Sequence, residues 1–285
     1  MTTQTVAAPG TSLHVIVDGA ADAPPVVLLH AGIADSRAWE AVTPRLVEAG
    51  YRVVRYDRRG FGRTFTEDVE FSNRADLVAV LDALGIGQAV LVGNSQGGQI
   101  AFDTAIEYPD RVAAVVGVAA GLSGFDGGAI DAEIELFERM DALDERLEAA
   151  GPAGDADARQ QIIDLDVAFW VDGPGQPSDR VASSIRDLVR VMDAVHYAPG
   201  RVQGQAIPLR PPAAERLADL RQPVIAVAGA LDASEVAATA RHLGATAPDA
   251  TAVVWPDVAH MIGLEVPERL ADLVLDFLAP LPRWS

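Results

Sequence analysis

The chain has 285 residues, 49% of them hydrophobic, which is enough for one large α/β core with an insertion or for two domains. It contains no cysteine, and all 22 basic residues are arginine, so disulfides, thiolate metal sites, cysteine nucleophiles, a P-loop lysine, a Schiff-base lysine and a Ser-Lys dyad are excluded. A formal charge of −19 argues against nucleic acid and anionic membranes as partners, since both repel such a surface.

Met1 to Gly10 has neither a basic segment nor an apolar centre, so no secretory signal is expected. No apolar run reaches the roughly 18 residues of a membrane span, and the cytoplasm is the expected location. Leu13 to Val17 predicts a short strand, and Gly19 to Pro25 a turn. Val26 to His30 is apolar up to its histidine, as in a strand buried on both faces, and it leads into Ala31-Gly32-Ile33. Asp35 or Ser36 predicts the cap of a helix running to Ala49, with Trp39, Val42, Leu46 and Val47 inward. Tyr51 to Tyr56 predicts a strand, followed by the glycine-bearing loop Asp57-Arg58-Arg59-Gly60-Phe61-Gly62-Arg63. Asn73 to Leu84 reads as a helix stopped by Gly85 to Gly87. Then an apolar run, Val90-Leu91-Val92, drives into Gly93-Asn94-Ser95-Gln96-Gly97-Gly98, and Gln99 to Tyr108 reads as a helix.

Val112 to Ala119, Val224 to Ala228 and Ala252 to Trp255 are further strands, and Pro267 to Leu278 is a closing amphipathic helix. Apolar strands alternating with helices predict a mostly parallel sheet covered on both faces. Between Gly121 and Arg210 the strand signal stops. Three helical stripes replace it: Leu136, Met140, Leu143 and Leu147; Ile163, Val167 and Trp170; Val181, Ile185, Leu188, Met192 and Val195. The expected organisation is a core of residues 1–120 and 211–285 with residues 121–210 as a helical lid over the carboxyl ends of the strands, where open α/β sheets bind ligands.

The context strand, sharp turn, helix makes Gly-x-Ser-x-Gly a candidate nucleophile elbow with Ser95 at its tip. Alone, the pattern also describes an inert Gly-rich turn. Gly93 and Gly97 let strand and helix pack closely, and the helix N-terminus favours negative charge beside the serine. A serine hydroxyl needs a base. Five histidines are available. His14 lies in a strand, His242 in a surface helix and His196 at the end of a lid helix. His30 opens the loop expected to carry an oxyanion donor. His260 follows the last strand, at the same edge as Ser95, and is the candidate base. Asp232, just after the Val224 strand, is the candidate orienting acid, although it also reads as a helix cap. Asp126 is a rival, and Asp257 lies too near His260 along the chain. The oxyanion donors expected are the backbone N–H groups of Gln96 and Gly32, with Ile33 as the neighbouring alternative.

Five pieces in this order resemble the α/β-hydrolase superfamily: Leu28-Leu29-His30-Ala31-Gly32 with Trp39, Tyr56-Asp57-Arg58-Arg59-Gly60-Phe61-Gly62, the Ser95 elbow, Gly229-Ala230-Leu231-Asp232, and Val258-Ala259-His260 before Pro267-Glu268. The resemblance implies an α/β-hydrolase fold, a mostly parallel eight-stranded sheet with helices on both faces and a lid inserted between two strands. It implies the order Ser95, Asp232, His260 as a catalytic triad, and a structural role for Asp57 and its Arg-Gly-x-Gly loop. Ala31 departs from the glycine many members carry there. The chain looks most similar to enol-lactonases and esterases, and its elbow also to meta-cleavage-product carbon–carbon hydrolases. A serine at position 95 argues against the dehalogenase and epoxide-hydrolase branches, which use aspartate.

The expectation is therefore a serine hydrolase of a small-molecule carboxylic ester or lactone, working through an acyl-enzyme on Ser95, with no metal and no organic cofactor. Alternatives are a carbon–carbon hydrolase, a cofactor-free perhydrolase, or a ligand-binding receptor on the same fold. The pocket residues expected are His30, Ile33, Phe137, Met140, Trp170, Met192 and Met261, with Phe169 beside them. A homodimer is kept open as an assembly.

Overall fold

The structure is a computed structural model that describes all residues, Met1–Ser285. Eight strands form one sheet: β1 (Thr2–Ala8), β2 (Thr11–Asp18), β3 (Pro25–Leu29), β4 (Arg52–Tyr56), β5 (Ala89–Asn94), β6 (Val112–Val118), β7 (Val224–Gly229) and β8 (Ala250–Trp255). Their spatial order is β1-β2-β4-β3-β5-β6-β7-β8. β2 is antiparallel to both of its neighbours, and every later pairing is parallel. β3, β5 and β7 are buried at every residue, which is why they read as unbroken apolar runs rather than as alternating ones. Parallel pairing sends the carboxyl ends of β3 to β8 to one edge, so Ala31, Ser95, Asp232 and His260 all leave the sheet on the same side.

Helices α1 (Thr43–Glu48), α2 (Asn73–Ala83) and α3 (Gln96–Glu107) precede an insertion between β6 and β7. The insertion holds α4 (Asp131–Ala150), α5 (Ala156–Asp166) and α6 (Ser183–His196), and α5 continues into wider π-helical turns over Val167–Asp172. Helices α7 (Ser234–Thr246), α8 (Ile262–Glu265) and α9 (Pro267–Leu278) complete the chain. No helix is long and apolar enough to cross a membrane.

Four local features depart from the sequence reading or are absent from it. The first strand, Thr2–Ala8, has no apolar signal, because only Val6 is buried; its clue is the Pro9-Gly10 turn that folds it back on β2. The helix expected from Asp35 to Ala49 divides. Asp35 does accept the Arg37 N–H, but a short turn over Ser36–Trp39 ends before α1, where Pro44 has no N–H to continue the ladder. Helix α3 starts directly after Ser95, three residues earlier than its pattern suggests. Finally, Gln205–Ala206 forms a two-residue strand against Glu70–Phe71, within the stretch expected to be wholly helical.

The insertion is fastened to the core by charge and by packing. Glu133 of α4 accepts the Ser234 N–H at the start of α7, at 2.9 Å. Arg180 pairs with Glu265 of α8 at 2.6 Å and donates to the carbonyls of Val171 and Asp172. Val167, Val171, Val189 and Met192 pack against Ala31, Ile33, Ala38 and Met261 of the core.

Candidate active site

Ser95 has φ 56° and ψ −119°, one of only two non-glycine residues with positive φ. Such a conformation costs roughly 1–3 kcal/mol and persists only where its surroundings over-determine it. Here the Ser95 N–H donates to Val118 of β6, while its carbonyl accepts from Gln99 and Gly121. The glycines around it are compulsory. A Cβ on Gly93 would stand 2.2 Å from the Gly97 carbonyl oxygen, and one on Gly97 would stand 2.3 Å from that of Leu29. Asn94 donates its amide to the carbonyls of Val118 (3.0 Å) and His260 (3.2 Å), tying the His260 loop to the elbow.

His260 and Asp232 are both buried, and His260 Nδ1 lies 2.8 Å from Asp232 Oδ2. The other Asp232 oxygen accepts the Ala233 N–H at 2.7 Å. A carboxylate on Nδ1 holds the proton there and leaves Nε2 with the lone pair. Glu265 accepts the Ala259 N–H and so steadies the same loop. The rival acids stand elsewhere: Asp126 is exposed and closes its own turn onto Gly128, and Asp257 pairs with Arg269 on the surface.

The loop after β3 is built around the Ala31 carbonyl. It accepts from His30 Nδ1 at 2.8 Å and from Arg58 Nη2 at 3.2 Å. In a trans peptide the next N–H points the opposite way, so the Gly32 N–H is turned away from those donors. The N–H groups of Gly32, Ile33 and Gln96 donate to no protein acceptor, and all three residues line one cavity. With Ala31 anchored from two sides, the alanine in place of glycine leaves the loop intact.

That cavity measures about 440 Å³ and lies between the sheet edge and the insertion. Ser95, Gln96, Gly32 and His260 line it from the core, and Trp170, His196, Tyr197, Asp144 and Asp166 from the insertion. Of the seven expected pocket residues, Ile33 and Trp170 line it and five do not. His30 is buried with both ring nitrogens engaged, its Nε2 accepting the Arg58 N–H at 3.0 Å; burial, then the Arg58 charge, holds it neutral, well below the ordinary imidazole range. Phe137 packs against Phe169 with ring centroids 5.1 Å apart, and Met140 belongs to the main core. Met192 and Met261 fill the seam between insertion and sheet.

Several lining residues escape sequence reasoning. Asp57 is structural as the resemblance implies, its oxygens accepting the N–H groups of Ser36 and Arg63, but Arg58 and Phe61 of the same loop face the cavity. His196 stacks on Phe61 at 4.2 Å, and burial draws it down to about 4. Asp166 and Asp193 form a buried carboxyl pair, and neither Asp193 oxygen meets an N–H donor. Burial raises both, and mutual repulsion raises Asp193 further. Burial also raises Asp144, to about 6. An arginine in a polar loop and acids in a helix carry no pattern that marks them as cavity residues. No group of three or more His, Cys, Asp or Glu side chains is arranged to hold a metal ion.

Residues 24–267 match the model of the alpha/beta hydrolase fold family. Epoxide hydrolase B of Mycobacterium tuberculosis is 38% identical over 150 residues, which cover 50% of this chain and 42% of that protein. The chain thus spans less than half the length of the first curated relatives it matches. Rhodomycin D methylesterase DauP of Streptomyces sp. (strain C5) is 29% identical over 274 residues, covering 88% of this chain and 89% of that one. The enol-lactonase of Burkholderia xenovorans LB400 superposes with a TM-score of 0.75 over 97% of this chain and 100% of its own, at 20% identity, a likeness of fold.

Proposed function

The chain belongs to the alpha/beta hydrolase fold family, and from that premise we propose that it is a serine hydrolase of a carboxylic ester or lactone. The observation that carries this reading is the convergence of three features on one cavity: the strained Ser95, the Asp232-bound His260 and the unpaired N–H groups of Gln96 and Gly32. Ser95 attacks the carbonyl carbon, and His260 takes its proton through Nε2. Asp232 stabilises the imidazolium so formed. The two N–H groups, helped by the N-terminus of α3, receive the charge that develops on the carbonyl oxygen. His260 then protonates the leaving oxygen and activates the water that hydrolyses the acyl-enzyme. The full-length likeness to a methylesterase supports an ester over an epoxide, and so does a serine where the resemblance assigns aspartate to epoxide hydrolases.

A fluorophosphonate probe tests this reading. Wild type is expected to label, and Ser95→Ala and His260→Ala are expected not to. A folded wild type that fails to label would overturn the proposal and raise the ligand-binding reading in its place.

A further inference from the structure

One cation in the cavity wall has no anion against it. Arg58 is 4% exposed, and its guanidinium lies over the Phe61 ring, 4.5 Å from the centroid. Nη1 donates to the Gln96 side-chain oxygen and Nη2 to the Ala31 carbonyl, each at 3.2 Å, while Nε has no partner. A guanidinium carries five N–H bonds, so three stay unused. The other arginines buried in the core are neutralised: Arg59 by Asp76 at 2.7 Å, Arg55 by Asp18 at 3.5 Å, and Arg74 by Glu107. Arg58 has no such partner. The titratable groups that interact with its charge are Tyr56, His30 and His196, and no carboxylate pairs with it: the preceding Asp57 turns its oxygens to the N–H groups of Ser36 and Arg63. Burial draws it down to about 10, and it remains a cation at neutral pH. Holding an amide oxygen and a backbone carbonyl takes only a neutral donor. A buried, uncompensated charge is costly unless something of opposite sign pairs with it.

We propose that Arg58 is an anion subsite and that the substrates are esters or lactones whose acyl portion carries a carboxylate. This rests on the serine hydrolase reading. The side of the cavity follows from the chemistry. The leaving group lies toward His260, which protonates it, and Trp170 of the insertion covers that side. Arg58 is bonded to Gln96 and to Ala31, beside the oxyanion donors; with the leaving group directed to His260, the acyl chain is assigned to the Arg58 side. Asp144 and Asp166 occupy the insertion's wall of the cavity.

Two esters with a common leaving group test it: mono-4-nitrophenyl adipate, ending in a carboxylate, and 4-nitrophenyl hexanoate, ending in a methyl. Spontaneous hydrolysis is subtracted with Ser95→Ala. Wild type is expected to favour the adipate in kcat/KM by roughly tenfold or more, mainly through KM. Arg58→Met is expected to abolish or reverse the preference, and Arg58→Lys to keep part of it. Equal use of both esters by wild type, or an unchanged ratio in folded Arg58→Met, overturns the proposal. If Arg58→Met does not fold, competition on wild type decides. Adipate is expected to inhibit hexanoate hydrolysis and adipamide not to; equal inhibition overturns the subsite. If neither ester is cleaved and no fluorophosphonate labels, the hydrolase reading has failed on its own. The subsite then stands or falls on whether adipate, and not adipamide, raises the melting temperature of wild type.

Discussion

The indole of Trp170 lies against the imidazole of His260, with ring centroids 4.5 Å apart and planes at 45°. One residue comes from the π-helical turns of the insertion and the other from the loop after β8. The insertion therefore touches the candidate base directly. Phe169 meets Trp170 edge-on at 4.6 Å, so the indole is held from behind.

Trp170→Ala is expected to lower kcat/KM about tenfold, since a loosened imidazole spends less time aligned on Ser95. Fluorophosphonate labelling should persist, only more slowly. Unchanged kinetics in a folded variant would reduce the contact to packing.

Asp232→Asn should leave the fold intact and lower kcat by roughly three to four orders of magnitude, because the amide no longer holds the His260 proton on Nδ1. Circular dichroism and steady-state kinetics on one preparation check both halves. A modest loss, of a few fold, would mean that another group orients the imidazole.

Gly97→Ala should destabilise the protein by about 1–3 kcal/mol, because the new Cβ would meet the Leu29 carbonyl oxygen at 2.3 Å, and backbone cannot yield as a side chain does. Gly50→Ala is not a matched control for space alone: its site is open, but its φ of 90° strains any side chain. The measurement is the denaturation midpoint. An unshifted midpoint would show that strand β3 and helix α3 can separate freely.

The buried Asp166–Asp193 pair should make stability depend on pH. Burial raises both carboxyls above their unfolded values, so the folded state binds more protons than the unfolded state once pH exceeds about 4. Stability then falls as pH rises from that point through the raised values. Asp193→Asn removes one of the two titrating groups. Its melting temperature is expected to match wild type near pH 4, where ionisation of the unfolded carboxyls has only begun, and to exceed it increasingly toward pH 8. A constant difference across that range would show that the pair does not titrate.

Much of the frame is legible without coordinates. The runs at Val26, Val90, Val112 and Val224 have no polar alternation, and with helices between them that is the pattern of a parallel sheet covered on both faces. The strand Thr2–Ala8 was hidden because an antiparallel edge needs almost no apolar residues. The break before α1 was written in Pro44, but a longer amphipathic stripe spanned it. The pocket was the least legible part. Met140, Met192 and Met261 have the right hydrophobicity for lining a cavity, yet each is used to fill a core or a seam.

By itself, the sequence determined that a serine sits between a buried strand and a helix, with an aspartate and a histidine after later strands. Parallel strands deliver their carboxyl ends to one edge, so the order of the runs already implies that the three residues share it. Only the tertiary structure decided which side chains face the cavity between that edge and the insertion. An apolar stripe reports that a face is buried and not what it is buried against. Arg58, Asp144 and Asp166 became cavity residues because chain segments far apart in sequence close over them, and that closure leaves no local pattern.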